Sequence, residues 1–232
     1  MPKIKFGIRI VTYPRPDGKT PDLLRKTIHS VVSQSWCDWV IYLVGDSYGP
    51  QEEFESFLDF APKEKIKMQN PNLQSERFIF KDSKKISYFG GICAANYCLD
   101  WMTREGVTHV VILDHDDIWL PNHLKTLNDA YTFFPDVYFV YNAGHYRGSS
   151  SFPESNCKYQ IDNLPPKGGS VLHSSVSWRL DKIPLRYSYS FNNDGSPVYG
   201  DIKMWEDMRT YFKLNDYKFF FTKKSTMIHD GT

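Results

Sequence analysis

The stretch that most limits what this chain can become is 107–121. Five of the six residues from 108 to 113 are β-branched or aliphatic, His109 being the exception. A run so short and so rich in Val and Ile predicts a strand buried on both faces. It leads directly into Asp114, His115, Asp116 and Asp117, and Pro121 stands where the first turn of a following helix is expected. Carboxylates at the carboxyl end of a central strand open into the crevice where α/β sheets bind ligands. Three such charges repel one another and lose solvation together. A divalent cation relieves both penalties, and hard oxygen donors suit Mg²⁺ or Mn²⁺. Asp-x-Asp after an apolar run also marks ordinary polar turns, so the rest of the chain has to decide.

The flanking pattern alternates strand and helix. Residues 3–12 alternate and then run apolar, predicting a first strand that stops at Tyr13, Pro14, Arg15, Pro16, Asp17 and Gly18. Thr20 and Pro21 predict a helix start with Thr20 as N-cap, and Leu24, Ile28, Val31 and Val32 mark its packed face. A second strand over 39–44 closes on Gly45, Asp46 and Ser47. The pattern then predicts a short helix over 51–60, and for 61–89 a short strand near Ile66 and a long loop. Gly90 and Gly91 open a helix with Ile92, Ala95, Leu99 and Met102 on one face. Beyond the carboxylates, a helix over 121–134 should turn Leu124, Leu127, Tyr131 and Phe134 inward, with a strand over 137–141 behind it. Pro, Gly and Ser clusters make 142–170 irregular, and a long loop in a compact domain usually serves function or moves. Ile202, Trp205, Met208 and Phe212 then form a helical stripe over 199–214, with Asp201 in its first turn, and 217–221 is an aromatic strand.

Alternating elements of this kind predict an α/β domain. A chain of 232 residues can bury a full core and shows no internal repeat or low-complexity linker, so one domain is expected. Its regular first half suits nucleotide binding and its irregular, aromatic second half suits a second substrate. A net charge of +1 provides no global field to recruit nucleic acid or an anionic membrane. Cys37, Cys93, Cys98 and Cys157 lack paired metal-ligand spacing and read as reduced structural thiols. The opening Met-Pro-Lys-Ile-Lys has no apolar leader, and no run of about 18 apolar residues occurs, so a soluble cytoplasmic protein without an integral membrane segment is expected.

The order of these landmarks resembles the family 2 glycosyltransferases of the GT-A fold over nearly the whole chain. The matching pieces are Thr12-Tyr13-Pro14, Ser30-Val31-Val32-Ser33-Gln34-Ser35-Trp36, the strand ending in Asp46, and Gly90-Gly91 with Ala94-Ala95-Asn96. Leu113-Asp114-His115-Asp116-Asp117-Ile118-Trp119-Leu120-Pro121 follows, and then Gly200-Asp201 with Trp205. The resemblance implies a single Rossmann-like GT-A domain over 1–232, with a mixed central sheet flanked by helices. Residues 1–120 would bind the nucleotide-sugar and 121–232 the acceptor. It implies inverting transfer from a UDP- or dTDP-sugar to a glycan or other hydroxyl acceptor, assisted by Mn²⁺ or Mg²⁺. Asp116 matches the usual metal ligand, and His229 falls where related enzymes place a histidine on the metal or the phosphates. Asp114 matches a position near the ribose or sugar, and Asp46 one near the base. Thr12, Tyr13, Pro14, Gly91, Asn96 and His115 complete the donor set, although His109 and His115 taken alone read as structural or solvent-facing. Asp201 matches the base that deprotonates the acceptor, with Glu206 and Asp207 as nearby competitors. One departure stands out. Where the family commonly has an Arg before the Asn of the Gly-rich helix, this chain has Ala95, leaving Arg77, Lys84 or Lys85 as replacements by proximity. A sugar-nucleotide nucleotidyltransferase would need a Gly-rich basic loop after the first strand, but 13–19 contains one Gly. A non-catalytic nucleotide- or glycan-binding module is the remaining alternative.

Overall fold

The computed structural model describes residues 4–229 apart from 47, 59, 72, 74–76, 80–85, 89–90, 147–150, 153–169, 193–197 and 199. The chain builds one mixed, curled sheet with helices on both faces. Its first half contributes β1 (Phe6–Thr12), α1 (Thr20–Val32), β2 (Trp39–Gly45), α2 (Gln51–Ser56) and β3 (Ile66–Gln69). A small hairpin of β4 (Arg77–Ile79) and β5 (Ile86–Tyr88) follows, then α3 (Ile92–Arg104) and β6 (His109–Asp114). Next come β7 (Asp117–Trp119), α4 (His123–Phe133), β8 (Val137–Tyr146), β9 (Ser151–Phe152), β10 (Val176–Arg179), α5 (Gly200–Asn215) and β11 (Lys218–His229).

The sheet runs β3-β2-β1-β6-β10-β8-β11-β7, with β9 on β8. Strands β3, β2, β1 and β6 are mutually parallel, and the three interior ones, β2, β1 and β6, are covered on both faces, which is why their sequences are largely apolar. In β1, Phe6, Ile8 and Ile10 pack toward α1 and α4; in β2 and β6, Val40, Tyr42, Val44, Val110 and Ile112 pack toward α3 and α5. Each face therefore has its own core, and removing one buried Ile or Leu side chain costs about 2–5 kcal/mol. β10 is antiparallel to both β6 and β8, so the parallel front is joined to the back of the sheet through one four-residue strand. Among the described residues no helix is long and apolar enough to cross a membrane.

Several sequence expectations need correction. Thr20 does not cap α1. Its hydroxyl donates to the Tyr13 carbonyl and accepts from the Arg15 N–H, both at 2.9 Å, so it closes the preceding loop instead. The segment 61–89 holds the β4–β5 hairpin as well as β3, and α2 ends at Ser56 rather than at 60. Phe134 lies just past the end of α4, is 42% exposed and leans on Phe220 rather than entering the core. Strand β8 reaches Tyr146, and β11 is 12 residues long. Cys37, Cys93 and Cys98 carry free thiols, and Cys157 lies outside the described residues.

Candidate active site

The carboxylate turn is held from below by α1. The Thr27 hydroxyl lies 2.9 Å from the carbonyls of both His115 and Asp117. The Trp119 N–H donates to Ser30 Oγ at 3.1 Å. Gln34 donates to the Leu120 carbonyl at 2.8 Å and accepts the Leu124 N–H at 3.0 Å. Ser30 and Gln34 belong to the 30–36 motif and Thr27 lies one turn before Ser30, so one side of α1 and the residues just past its end meet the loop. An unpaired buried peptide group costs roughly 1–3 kcal/mol, so this lacing fixes the turn's backbone.

The three carboxylates then diverge. Asp117 is buried, at 1% exposure. One of its oxygens accepts from the Ser174 hydroxyl, and the other lies 2.7 Å from His229 Nδ1. Burial raises its pKa, and His229 and Ser174 only partly oppose that. Asp114 faces the opposite way in its environment. His173 Nδ1 lies 2.8 and 3.0 Å from its two oxygens, and Arg9 Nη2 is 3.6 Å from one of them. Burial alone would raise its pKa, but His173 and Arg9 hold it well below the usual carboxylate range. Burial likewise disfavours a charged His173, yet the Asp114 charge pushes its pKa up to about 10. Asp116 is 22% exposed and is met by Arg15 Nη1 at 3.4 Å.

The remaining expected residues surround this turn unevenly. Thr12 is buried, its hydroxyl 2.8 Å from Tyr48 Oη, while its carbonyl accepts the Asp46 N–H at 2.8 Å. That pairing places the buried Asp46 beside the end of β1. Tyr13 is 40% exposed and meets the His115 ring edge to face at 5.1 Å; Pro14 is exposed beside it. His115 is 5% exposed, so it is packed into the fold rather than solvent-facing. Gly91 starts α3 at φ 70°, a left-handed conformation that Gly adopts without strain, and a Cβ there would sit 3.2 Å from Val11 Cγ1. Asn96 spends its amide on the backbone of Tyr187, donating to the carbonyl and accepting the N–H at 2.8 Å each. Its direct work is therefore to hold Tyr187. Asp201 sits in the first turn of α5, whose Gly200 backbone passes so close to Ile92 that a Cβ would meet Ile92 Cγ1 at 2.9 Å. Hence the N-termini of α3 and α5 converge at the carboxyl end of β1. Asp207 is ion-paired to Lys203. His229 stacks on Tyr146 at 5.0 Å, and its bond to Asp117 raises its pKa. Only its Nε2 is left to face a phosphate or a metal.

Sequence reasoning missed Arg9, His173, Ser174 and Tyr187. Arg9 breaks an apolar strand, a local inconsistency that could have marked it as a buried functional charge. His173 and Ser174 lie in a short turn after the irregular segment, where periodicity carries no signal. Of the proposed basic replacements, Lys84 and Lys85 lie outside the described residues, and Arg77 is placed only as part of β4. Among the described residues, no group of three or more His, Cys, Asp or Glu is arranged to hold a metal. The donor set fits a hard cation held by one carboxylate together with ligand phosphates and water, the usual habit of Mg²⁺.

No family model matches the chain. Over 98% of its length it is 33% identical to a protein of Acanthamoeba polyphaga mimivirus named uncharacterized glycosyltransferase R139, and it spans 94% of that protein. Among solved structures it is similar to S. aureus TarS 1–349 in complex with UDP-GlcNAc, with TM-score 0.64 and 13% identity over 97% of this chain. It is also similar to the mannosyltransferase PcManGT from Pyrobaculum calidifontis in complex with GDP-Man and Mn²⁺, with TM-score 0.63 and 10% identity over 98% of this chain. The chain spans 58% and 57% of those two solved chains, less than two thirds of either, and at such identities the likeness is one of fold.

Proposed function

The chain belongs to the glycosyltransferases, and from that premise we propose that it transfers a sugar from a nucleoside-diphosphate sugar to a hydroxyl acceptor with inversion. The observation that carries this reading is the division of labour at the end of β6. Asp117 is consumed in bracing the turn, Asp114 is kept ionised by His173 and Arg9, and Asp116 is left partly exposed beside Arg15. That pattern supports Asp114 as an acceptor for ribose or sugar hydroxyls and Asp116 as the carboxylate for a divalent cation on the diphosphate. When bound, such a cation would neutralise charge developing on the leaving diphosphate. Arg15 lies near enough to Asp116 to supply the cationic partner that Ala95 cannot.

Asp46 and the 12–14 loop frame the base. A carboxylate that accepts an imide N–H favours uracil or thymine, while the matching ring nitrogen of cytosine is itself an acceptor. Guanine N1–H could also satisfy Asp46, and the two similar solved structures contain a UDP-sugar and a GDP-sugar, so guanine belongs in the test. Asp201, at the mouth formed by α3 and α5, is the proposed base on the acceptor hydroxyl. The proposed front of the domain is 1–120 and the acceptor side 121–232.

Calorimetric titration of UDP, dTDP, GDP, CDP and ADP, with and without Mn²⁺, tests the donor site. UDP or dTDP should bind best, and chelation should abolish transfer or donor hydrolysis. Tight GDP binding would keep the reaction class but replace the base assignment. Failure of all five to bind with Mn²⁺ present would sink the donor reading.

A further inference from the structure

We propose that His173 is a positioning residue of the donor site, orienting Asp114 so that its outward oxygens accept from hydroxyls of the bound nucleotide-sugar. This rests on the donor reading above. A single N–H at Nδ1 spans both oxygens of Asp114, at 2.8 and 3.0 Å, which fixes the carboxylate's plane. The same short turn grips Asp114 a second time, because the Asp114 N–H donates to Ser174 Oγ at 2.9 Å. The side chain nevertheless remains 36% exposed, so part of the carboxylate is open to a ligand.

The imidazole is itself held from its far side. Nε2 lies 2.8 Å from Tyr187 Oη, and the Tyr187 backbone is clamped by Asn96 through both its N–H and its carbonyl. Arg9 lies alongside, 3.4 Å from Nε2 and with its guanidinium carbon 5.3 Å from the Tyr187 ring centroid. Anchored at both nitrogens, the ring has one usable orientation. The chain Asn96–Tyr187–His173–Asp114 thus links the start of α3 to the carboxylate turn. Tyr187 also approaches the start of α5, since a Cβ on Gly200 would come 3.8 Å from its Cδ1. An ion pair serving stability alone would not need its histidine fixed from behind by a tyrosine whose own backbone is clamped. Reacting groups, in contrast, lose rate steeply when displaced by about 1 Å.

Two isosteres separate the contacts. In His173→Asn the amide N–H replaces Nδ1–H toward Asp114; in His173→Gln it replaces Nε2–H toward Tyr187. Affinities for UDP, UDP-GlcNAc and GDP-Man with Mn²⁺ are measured by calorimetry, and melting temperature controls for folding. The Asn variant keeps the Asp114 contact but loses the Tyr187 anchor, so for whichever of these wild type binds it should lose several-fold less affinity than the Gln variant. The Gln variant should lose about 10–100-fold, the usual cost of removing such a supporting contact. Tyr187→Phe leaves the Asp114 contact in place and should cost less than the Gln variant, which keeps the test available if Gln does not fold. Equal affinities for Asn and Gln variants of equal melting temperature, or Tyr187→Phe matching His173→Gln, would overturn the proposal. A wild-type protein that binds none of the three probes would instead refute the donor reading on which it rests.

Discussion

Three aspartates in four positions carry three different burdens, and substitutions should separate them. Asp117 is buried with both oxygens engaged, so Asp117→Ala leaves Ser174 and His229 without their acceptor. It should lose about 1–3 kcal/mol for the stranded buried Ser174 hydroxyl, read as a lower urea midpoint, and less for His229, which is 28% exposed. Asp116→Asn should leave that midpoint nearly unchanged while removing most activity and the response to Mn²⁺. If the two variants were equally destabilised, the division between them would be wrong. Asp201→Asn tests the base: turnover should fall by roughly 10²–10⁴-fold with donor affinity unchanged. Retention at the anomeric centre, read by NMR of the product, would remove Asp201 from that role. The motif was legible in the sequence as three acids after an apolar run. Their ranking was not, because it depends on His173, Ser174 and His229, which lie between 56 and 115 positions away along the chain.

Helix α3 shows what an element contributes beyond its apolar stripe. Its uncapped start at Gly91 faces Val11, and Glu105 just past its end ties it to the sheet. The Glu105 carboxylate accepts from Tyr42 Oη and from Trp101 Nε1 at 2.8 Å each, and it is ion-paired to Lys67. Burial would raise its pKa, but the bonds from Lys67, Tyr42 and Trp101 lower it overall. A carboxylate with a depressed folded pKa stabilises above its unfolded value of about 4.3, and that contribution disappears as pH falls through the folded pKa. Because Glu105 is solvent-exposed and its ion pair is screened, Glu105→Gln should cost at most about 1 kcal/mol at neutral pH, and less once wild-type Glu105 is protonated. A pH-independent difference in urea midpoint would contradict this. The apolar faces of α1, α3, α4 and α5 were readable from spacing, except at their ends: Val32, expected on the packed face of α1, is 41% exposed, and Phe134, beyond α4, is 42% exposed. Strands β4, β5, β7 and β10 were not, since elements of three or four residues show too little periodicity to distinguish pairing from loop.

Across the whole molecule, one buried and two half-buried histidines of opposite character shape the pH dependence of stability. Burial lowers the pKa of His123 to about 3 and of His109 to about 4. Below the unfolded value of about 6.5 the unfolded chain then binds more protons than the folded one, so stability falls as pH falls. His173, raised to about 10 by Asp114 against the effect of burial, acts in the other direction. Its contribution is fully present below about pH 6.5 and is lost as pH rises toward its folded pKa. The urea midpoint should pass through a maximum near pH 6.5, and His123→Asn should flatten the acid limb. A midpoint rising steadily from pH 5 to 9 would refute this balance. The sequence by itself determined the parallel front of the sheet, the helices that cover it and the place where the carboxylates emerge. Those features follow from local chemistry: side-chain periodicity selects strand or helix, and strand polarity fixes which end bears the acids. Only the tertiary structure decided which acid is braced and which is exposed, that β10 joins the two parts of the sheet, and that His229 reaches Asp117. Each of those depends on contacts between segments far apart in the chain, and the low-dielectric interior makes such charged contacts strong enough to assign roles that no local pattern encodes.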